Sequence, residues 1–299
     1  MKKRIAIGLL LVSTWLFAQE SHPYPDGKVG EMVKLGEDII DHTYTHPLTK
    51  NLVHSKLTCK NCHLAGKDGR TGTTQNIGTF IGTATAFPSY SKRHNAIITL
   101  QDRIDGCFLR CMNGQQSIVN TKAGLAMAAY ITWLSDGLPM HMNTKGPRSP
   151  KITKLWEKNT KKFAKLQRKA THKNYVHGKA LYVKKCALCH GENGKGKGAF
   201  PPLWGKDASG KWLAFSADGS MAKLHNSATW IQANMPLGEA NTLSDQDAAD
   251  VALYINAQER ANYHGYSVED NFKQFGLDLT KIRVYDEKTG TKEVDTNRL

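Results

Sequence analysis

The sequence predicts an all-α protein built from two similar halves, and three observations support this prediction. Each half contains a C-x-x-C-H motif, CKNCH at 59–63 and CALCH at 186–190. Each motif follows a glycine set among apolar residues, LGEDII in the first half and HGKALYV in the second. Each is also followed, 67 and 64 residues after its histidine, by a tyrosine in an apolar helical pattern. Matching elements at matching distances indicate duplication of one helical unit.

The C-x-x-C-H pattern is the attachment signature of a c-type haem. Two thiols one helical turn apart can add to the two vinyl groups of one haem while the next histidine binds the iron. A lone C-x-x-C could be a zinc half-site or a redox dithiol, but two complete motifs favour two covalently attached haem c groups. The predicted attachment residues are Cys59, Cys62, Cys186 and Cys189, and the predicted histidine ligands are His63 and His190.

The N-terminus has the layout of a secretory signal peptide over residues 1–18. Lys2, Lys3 and Arg4 precede an apolar run that ends at the small residue Ala18. The run is too short for a membrane span, which needs roughly 20 apolar residues, although the bulky Leu16 leaves an uncleaved anchor as the alternative. Haem attachment of this type also occurs outside the cytoplasm. We therefore predict a periplasmic protein with no stable membrane span.

Positive charge dominates the chain, with a formal net charge of +15, and the segment 145–173 holds eleven Lys or Arg against one acid, Glu157. An exported haem protein is unsuited to nucleic acid, so the charge favours small anions or an acidic redox partner. The segment itself is interpreted as a basic linker helix, with a docking surface as the alternative. The predicted divisions are a domain at 24–144, the linker at 145–173, a domain at 174–262 and an extension at 263–299.

The two halves resemble the class I cytochrome c fold. The resemblance implies two tandem, all-α domains, each wrapped around one covalently attached haem c. In the second half, GENGKGKGAFPPLWG looks like the loop after the haem site, whose proline carbonyl accepts a hydrogen bond from the ligating histidine. Pro201 or Pro202 would supply that carbonyl, and Pro88 is the looser counterpart in the first half.

The second ligand of each iron determines the function. Met235, in NMPLG, lies 45 residues after His190 just before a helix, and this placement resembles the methionine loop of class I cytochromes. A thioether ligand raises the reduction potential and suits electron transfer. We predict Met235 as the axial ligand of the second haem. Its rivals are Met221, Lys223 and His225.

The first half has no such methionine loop. Cys107 lies 44 residues after His63, close to the position that matches Met235. We predict Cys107 as the axial ligand of the first haem, where a thiolate would lower the iron potential and be a nucleophile if it left the metal. The alternatives are a buried free cysteine, a disulfide with Cys111, and ligation by Met112 instead. Other methionines lie inside a predicted helix or beyond it, at Met127, Met140 and Met142.

The segment RIDGCFLRCMNG, between a first C-x-x-C-H and a second haem site with NMPLG, resembles the dihaem thiosulfate dehydrogenases. The resemblance spans nearly the whole mature chain. It implies coupling of two thiosulfates to tetrathionate, or the reverse, at a haem ligated by His63 and Cys107, with His190 and Met235 on the electron-exit haem. Asn234 stands where some relatives have a lysine. Cys111 stands where the family more often has serine, which leaves its role open.

Thiosulfate and tetrathionate are dianions, so their approach to a thiolate requires positive groups. The predicted substrate-binding residues are Arg93, Arg103 and Arg110, with Arg93 and Arg110 favoured and Lys92 and Lys122 nearby. The electron partner is a soluble cytochrome c or a membrane-linked donor or acceptor. The alternative functions are a dihaem electron carrier with no substrate of its own and a dihaem peroxidase.

Overall fold

The computed structural model describes residues 22–143, 146 and 148–283. The predicted signal peptide and residues 284–299 of the predicted extension lie outside the described residues. Within the described ranges, the helices are α1 Gly27–His42, α2 Leu100–Cys111, α3 Lys122–Trp133, α4 Pro150–Gln167, α5 His172–Lys185, α6 Ala187–His190, α7 Leu224–Asn234, α8 Asp245–Asn256, α9 Val268–Lys273 and α10 Leu279–Arg283. The strands of this part of the chain are β1 Ser89–Ser91 and β2 Ala96–Ile98, paired antiparallel.

The predicted duplication is visible in two equivalent helix crossings. Helix α1 packs on α3 in the first half, and α5 packs on α8 in the second. A Cβ added to Gly36 would lie 2.0 Å from the Ala126 carbonyl oxygen, and one added to Gly178 would lie 2.1 Å from that of Asp250. The backbones therefore touch at both crossings, and only glycine permits this approach. The prediction of a helical fold built from two similar halves is confirmed, and the described residues add one small two-stranded sheet.

Replacement of Gly178 by alanine should destabilise the second half, because the new methyl group displaces the backbone of α8. We expect an overpacking cost of about 1–3 kcal/mol and a fall of several degrees in the apparent melting temperature. Ala180→Ser, at an exposed position of the same helix, is the matched control and should leave the melting temperature within about one degree. Equal melting temperatures for the two variants would contradict the close crossing.

Each half has its own apolar core, and each core also contains residues from the other half. Ala214, Phe215 and Ala222 of the second half are buried in the first core. Ile77 of the first half is buried in the second core. This shared packing places the loop before α7 against helix α2. Residues that are distant in sequence therefore form one site.

The basic segment 145–173 contains helix α4, which packs on α7 and α8. Its apolar residues Ile152 and Phe163 are buried in the second core, whereas Lys154 is exposed. Helices α9 and α10 of the predicted extension also pack on this core, through Phe272 and Ile282. The predicted boundaries of the domains and of the linker stay predictions. No helix in the described part of the chain is both long and apolar enough to span a membrane.

Candidate active site

The first C-x-x-C-H motif lies on a 3₁₀ turn, Cys59–Asn61, and the two residues after it. The His63 Nδ1 atom donates to the Gly78 carbonyl at 2.7 Å, and the His63 ring stacks on Phe80 with centroids 4.1 Å apart. Burial lowers the pKa of His63, so the imidazole is neutral at pH 7. Because Nδ1 is engaged, Nε2 is the ring nitrogen left for a metal.

The expectation that Pro88 supplies this carbonyl is wrong, since Gly78 does so. The loop after His63 folds back so that a Cβ on Gly78 would lie 2.8 Å from the Cys62 oxygen and 3.2 Å from the Trp230 Nε1 atom. Trp230 of the second half donates to that Cys62 oxygen at 2.9 Å. Only a glycine, here at φ +105°, fits between these groups.

The second motif follows the same plan. Cys186 caps α5, and Cys189 and His190 lie on α6. The His190 Nδ1 atom donates to the Pro201 carbonyl at 2.8 Å, so Pro201 is the acceptor of the two predicted prolines. Burial lowers the pKa of His190 as well, which again leaves a neutral imidazole with Nε2 available.

The side chains of both motifs fit haem c. All four motif cysteines are free thiols. Burial raises the pKa of Cys59 to about 11, of Cys62 to about 12 and of Cys186 to about 11, so these thiols are protonated. Two reduced thiols beside one imidazole with a single free nitrogen match the donor set of a covalently attached haem.

Cys107 lies on α2, whose start is fixed by a capping box between Thr99 and Asp102. Arg103 lies one turn before Cys107 on the same face of the helix, and its Nη1 atom donates to the Cys107 Sγ atom at 2.6 Å. Both side chains are partly buried. The arginine is thus directed at the sulfur rather than at solvent.

Cys107 is the more acidic of the two thiols on this face of α2. The pKa of Cys107 is well below its ordinary value, chiefly because the Cys111 thiol donates a hydrogen bond to it, with Arg103 and further cations opposing the effect of burial. The same hydrogen bond and burial raise the pKa of Cys111 well above its ordinary value. Ionisation of this pair therefore favours Cys107 over Cys111.

The charge of Cys107 also acts on Cys59, Cys62 and His63. Helix α2 therefore brings Cys107 to the first haem attachment segment. Among the rival ligands, Met112 and Met127 are buried in the first core, whereas Met140 and Met142 are 73% and 66% exposed. Ligation of the iron by Cys107 stays a prediction.

A cluster of charged residues borders Cys107 and centres on Asp218, a residue that the sequence did not indicate. The Asp218 carboxylate lies 3.1 Å from Arg93 Nη1, 3.9 Å from Arg110 Nε and 3.2 Å from Lys223 Nζ. Arg110 also contacts the His94 Nε2 atom at 3.1 Å. This cation cluster, Arg93, Arg110 and Lys223 around Asp218, carries excess positive charge.

The loop that carries Asp218 is anchored directly to α2. Ser216 donates from its backbone amide and from its hydroxyl to the Arg110 carbonyl, at 3.2 and 2.7 Å. The Ser220 backbone opposes the rise in the pKa of Cys111. The second half therefore completes the surroundings of Cys107. No motif marks these residues, because their contacts with α2 span more than one hundred positions.

The predicted arginines take two different positions. Arg103 contacts the sulfur, whereas Arg93 and Arg110, the two favoured from sequence, pair with Asp218. Arg103 contacts the sulfur because it lies four residues before Cys107 on the same helix. Lys92 and Lys122 are exposed.

Met235 caps the end of α7 and packs against the second core. The preceding Asn234 is buried and donates to the Ile77 carbonyl at 3.0 Å. Among the rivals, Lys223 is committed to Asp218 and to the Tyr266 hydroxyl, 2.8 Å from its Nζ atom. Ligation by Met235 stays a prediction.

The fold and these two motifs define a c-type cytochrome with two cytochrome c domains. A family model described as "SoxA/TsdA, cytochrome c domain" matches residues 49–140, and one described as "Cytochrome c" matches residues 175–259.

Comparison with individual proteins defines the family. The thiosulfate dehydrogenase of Allochromatium vinosum is 35% identical over 242 residues, covering 79% of this chain and 81% of that protein. The thiosulfate dehydrogenase of Thiomonas intermedia is 32% identical over 88% of this chain and 75% of its own length. The chain belongs to the thiosulfate dehydrogenase family, and it is an enzyme.

A solved structure agrees with this assignment. The "as isolated" form of thiosulfate dehydrogenase (TsdBA) from Marichromatium purpuratum superposes with a TM-score of 0.63 at 32% identity. The match covers 80% of this chain and 48% of that one, so this chain corresponds to about half of the TsdBA chain.

Proposed function

We propose that this protein is a periplasmic dihaem oxidoreductase that couples two thiosulfates to one tetrathionate and releases two electrons. The same site would support the reverse reduction. The observation that carries this proposal is the contact between the Arg103 guanidinium and the Cys107 thiolate beside the cation cluster. A nucleophilic sulfur next to several cations suits a reaction between two sulfur dianions.

The proposed cofactors are two haem c groups. Cys59, Cys62 and His63 would hold the first, with Cys107 as a further ligand of its iron. Cys186, Cys189 and His190 would hold the second, with Met235 as a further ligand of its iron. When bound, the haems supply sites that take up or donate one electron each.

Cys107 performs the covalent chemistry in this proposal. Its sulfur bonds to the terminal sulfur of one thiosulfate as two electrons leave, which gives a cysteine thiosulfonate, Cys107–S–S–SO₃⁻. A second thiosulfate attacks the outer of the two bridging sulfurs, so tetrathionate departs and the Cys107 thiolate is restored. Charge balances in both steps without any proton transfer.

The cations bind and orient the two dianions. Arg103 lies at the sulfur, where a planar guanidinium can donate two hydrogen bonds to a sulfonate. Arg110 and Arg93 share Asp218, whose carboxylate offsets part of their charge when no anion is bound. An entering sulfonate can compete with this carboxylate for the same guanidinium groups. Asp218 therefore moderates the attraction for anions and favours release of the product.

Thiosulfate should reduce the oxidised protein directly if this function is correct. Thiosulfate added anaerobically, with no artificial acceptor, should convert the haem absorption spectrum to that of the reduced form. Tetrathionate added to the reduced protein should reverse the change. A spectrum unaffected by both anions would favour a dihaem electron carrier without its own substrate.

Replacement of Met235 by histidine should lower the reduction potential of one haem by about 0.1 V or more, because an imidazole replaces a potential-raising thioether. A spectropotentiometric titration measures both haems. Met221→Leu, which alters a rival methionine packed between the two cores, is the control and should leave both potentials close to wild type. A large fall in Met221→Leu with none in Met235→His would reverse the assignment.

We also propose a route of export and a class of electron partner for this protein. The predicted signal peptide at 1–18 would deliver the chain to the periplasm. The lysines of α4 form a basic face, with Lys154 exposed, that would attract an acidic partner. That partner is a soluble cytochrome c or a membrane-linked donor or acceptor.

A further inference from the structure

We propose that Cys111 is a second catalytic thiol, which displaces thiosulfate from the thiosulfonate on Cys107 and forms a Cys107–Cys111 disulfide. This inference rests on the proposed function, because it requires tetrathionate to react at Cys107. It adds a route by which the enzyme reduces tetrathionate to two thiosulfates with its own pair of thiols.

The two thiols are placed to react with each other. Cys111 lies one turn after Cys107 on the same face of α2, and each thiol shifts the pKa of the other. Helical geometry sets their Cα atoms about 6.2 Å apart, which is within the range of about 4.4–6.8 Å found in disulfides. Cys111 is the last residue of α2, so adjustment of its backbone disturbs only the final turn.

Arg103 and Cys111 flank Cys107 along the helix, one turn before it and one turn after it. In thiol–disulfide exchange, the attacking, central and departing sulfurs lie close to a straight line. Attack from Cys111 therefore expels thiosulfate towards the Arg103 guanidinium. The departing dianion leaves into positive charge, which stabilises it as its charge develops.

Cys111 is enclosed within the site. Its side chain packs on the first core, and the Ser220 backbone of the second half contacts it. An external thiol has to displace this packing, whereas Cys111 lies one helical turn from Cys107 on the same face of α2. Such proximity corresponds to a high effective concentration.

The atoms and electrons of this route balance. The Cys107 thiolate attacks a central sulfur of tetrathionate, which releases one thiosulfate and leaves Cys107–S–S–SO₃⁻. The Cys111 thiol loses its proton, and its sulfur bonds to Cys107 Sγ as the bond to the second thiosulfate breaks. Tetrathionate has then been reduced by two electrons and the cysteine pair oxidised by two. Two electrons and one proton then restore the thiolate and the thiol. These are the same two electrons that tetrathionate reduction consumes by any route.

Tryptic peptide mapping can detect this disulfide, because trypsin cleaves after Arg103, Arg110 and Lys122. Cys107 and Cys111 then fall on separate peptides, 104–110 and 111–122. Oxidised holoenzyme is treated with tetrathionate without an electron donor, quenched in acid, alkylated and digested without reductant. We expect the two peptides to be joined by a disulfide. A persistent thiosulfonate on peptide 104–110 beside an alkylated Cys111 would overturn the inference.

The amount of thiosulfate released provides a second readout. Wild-type enzyme should release two thiosulfates per molecule in this single turnover, whereas Cys111→Ser should release one and retain the adduct on Cys107. Haem content and melting temperature establish that the variant is folded. One thiosulfate from both proteins, with normal turnover by the wild type, would remove only the role of Cys111. If the wild type forms neither adduct nor disulfide and shows no turnover, the proposed function itself fails.

Discussion

Cys107→Gly should lose thiosulfate oxidation and tetrathionate reduction by at least about 10³-fold, because the variant lacks the sulfur that bonds to substrate. Arg103, Cys111 and the cation cluster all surround that one atom. The measurement is steady-state turnover in both directions with dyes as electron acceptor and donor.

Covalent haem attachment does not involve Cys107, so the variant should retain both haems. Haem content by absorbance, together with the melting temperature, separates loss of chemistry from loss of the fold. Turnover within about tenfold of wild type in a variant with full haem content would show that the sulfur of Cys107 is dispensable.

Arg103→Met should lower kcat/KM for thiosulfate by about 10²–10³-fold, because one partly buried cation at the reacting sulfur is removed. The pKa of Cys107 should also rise, since Arg103 is one of the positive charges that lower it. Arg103→Lys keeps the charge but loses the planar pair of donors, so we expect an intermediate loss of about tenfold.

Lys154→Met is the matched control for this prediction. It removes one exposed positive charge from α4, far along the chain from α2, and should change kcat/KM by less than about twofold when a dye replaces the protein partner. Similar losses in Arg103→Met and Lys154→Met would indicate that net charge alone attracts the substrate. A stepwise loss of kcat/KM from arginine to lysine to methionine at position 103 would instead indicate a directed contact with the substrate.

The features that were predicted correctly from the sequence are those that depend on the spacing of nearby residues. Gly36 and Gly178 mark the two helix crossings because a close approach of backbones demands glycine at one position. Pro201 receives the His190 hydrogen bond in the expected loop. The fold class follows from such short-range patterns, since each is contained within a few turns of helix or one loop.

The remaining features depend on contacts between distant segments. Asp218 approaches Arg93 and Arg110 only because the loop before α7 is buried in the first core. Gly78 replaces Pro88 because its loop folds back under the Trp230 indole. Neither contact leaves a periodic or compositional pattern in the sequence. The Arg103 contact with Cys107, in contrast, follows from their spacing of four residues on one helix.

Product counting with purified wild-type protein tests the central claim most directly, because it measures the sulfur balance together with the electron balance. Thiosulfate, tetrathionate and reduced acceptor are quantified in the same reaction. Coupling at Cys107 predicts one tetrathionate and two electrons for every two thiosulfates consumed, and the inverse ratio when tetrathionate and a reduced dye are supplied. Absence of reaction in both directions, or acceptor reduction without tetrathionate, would contradict it.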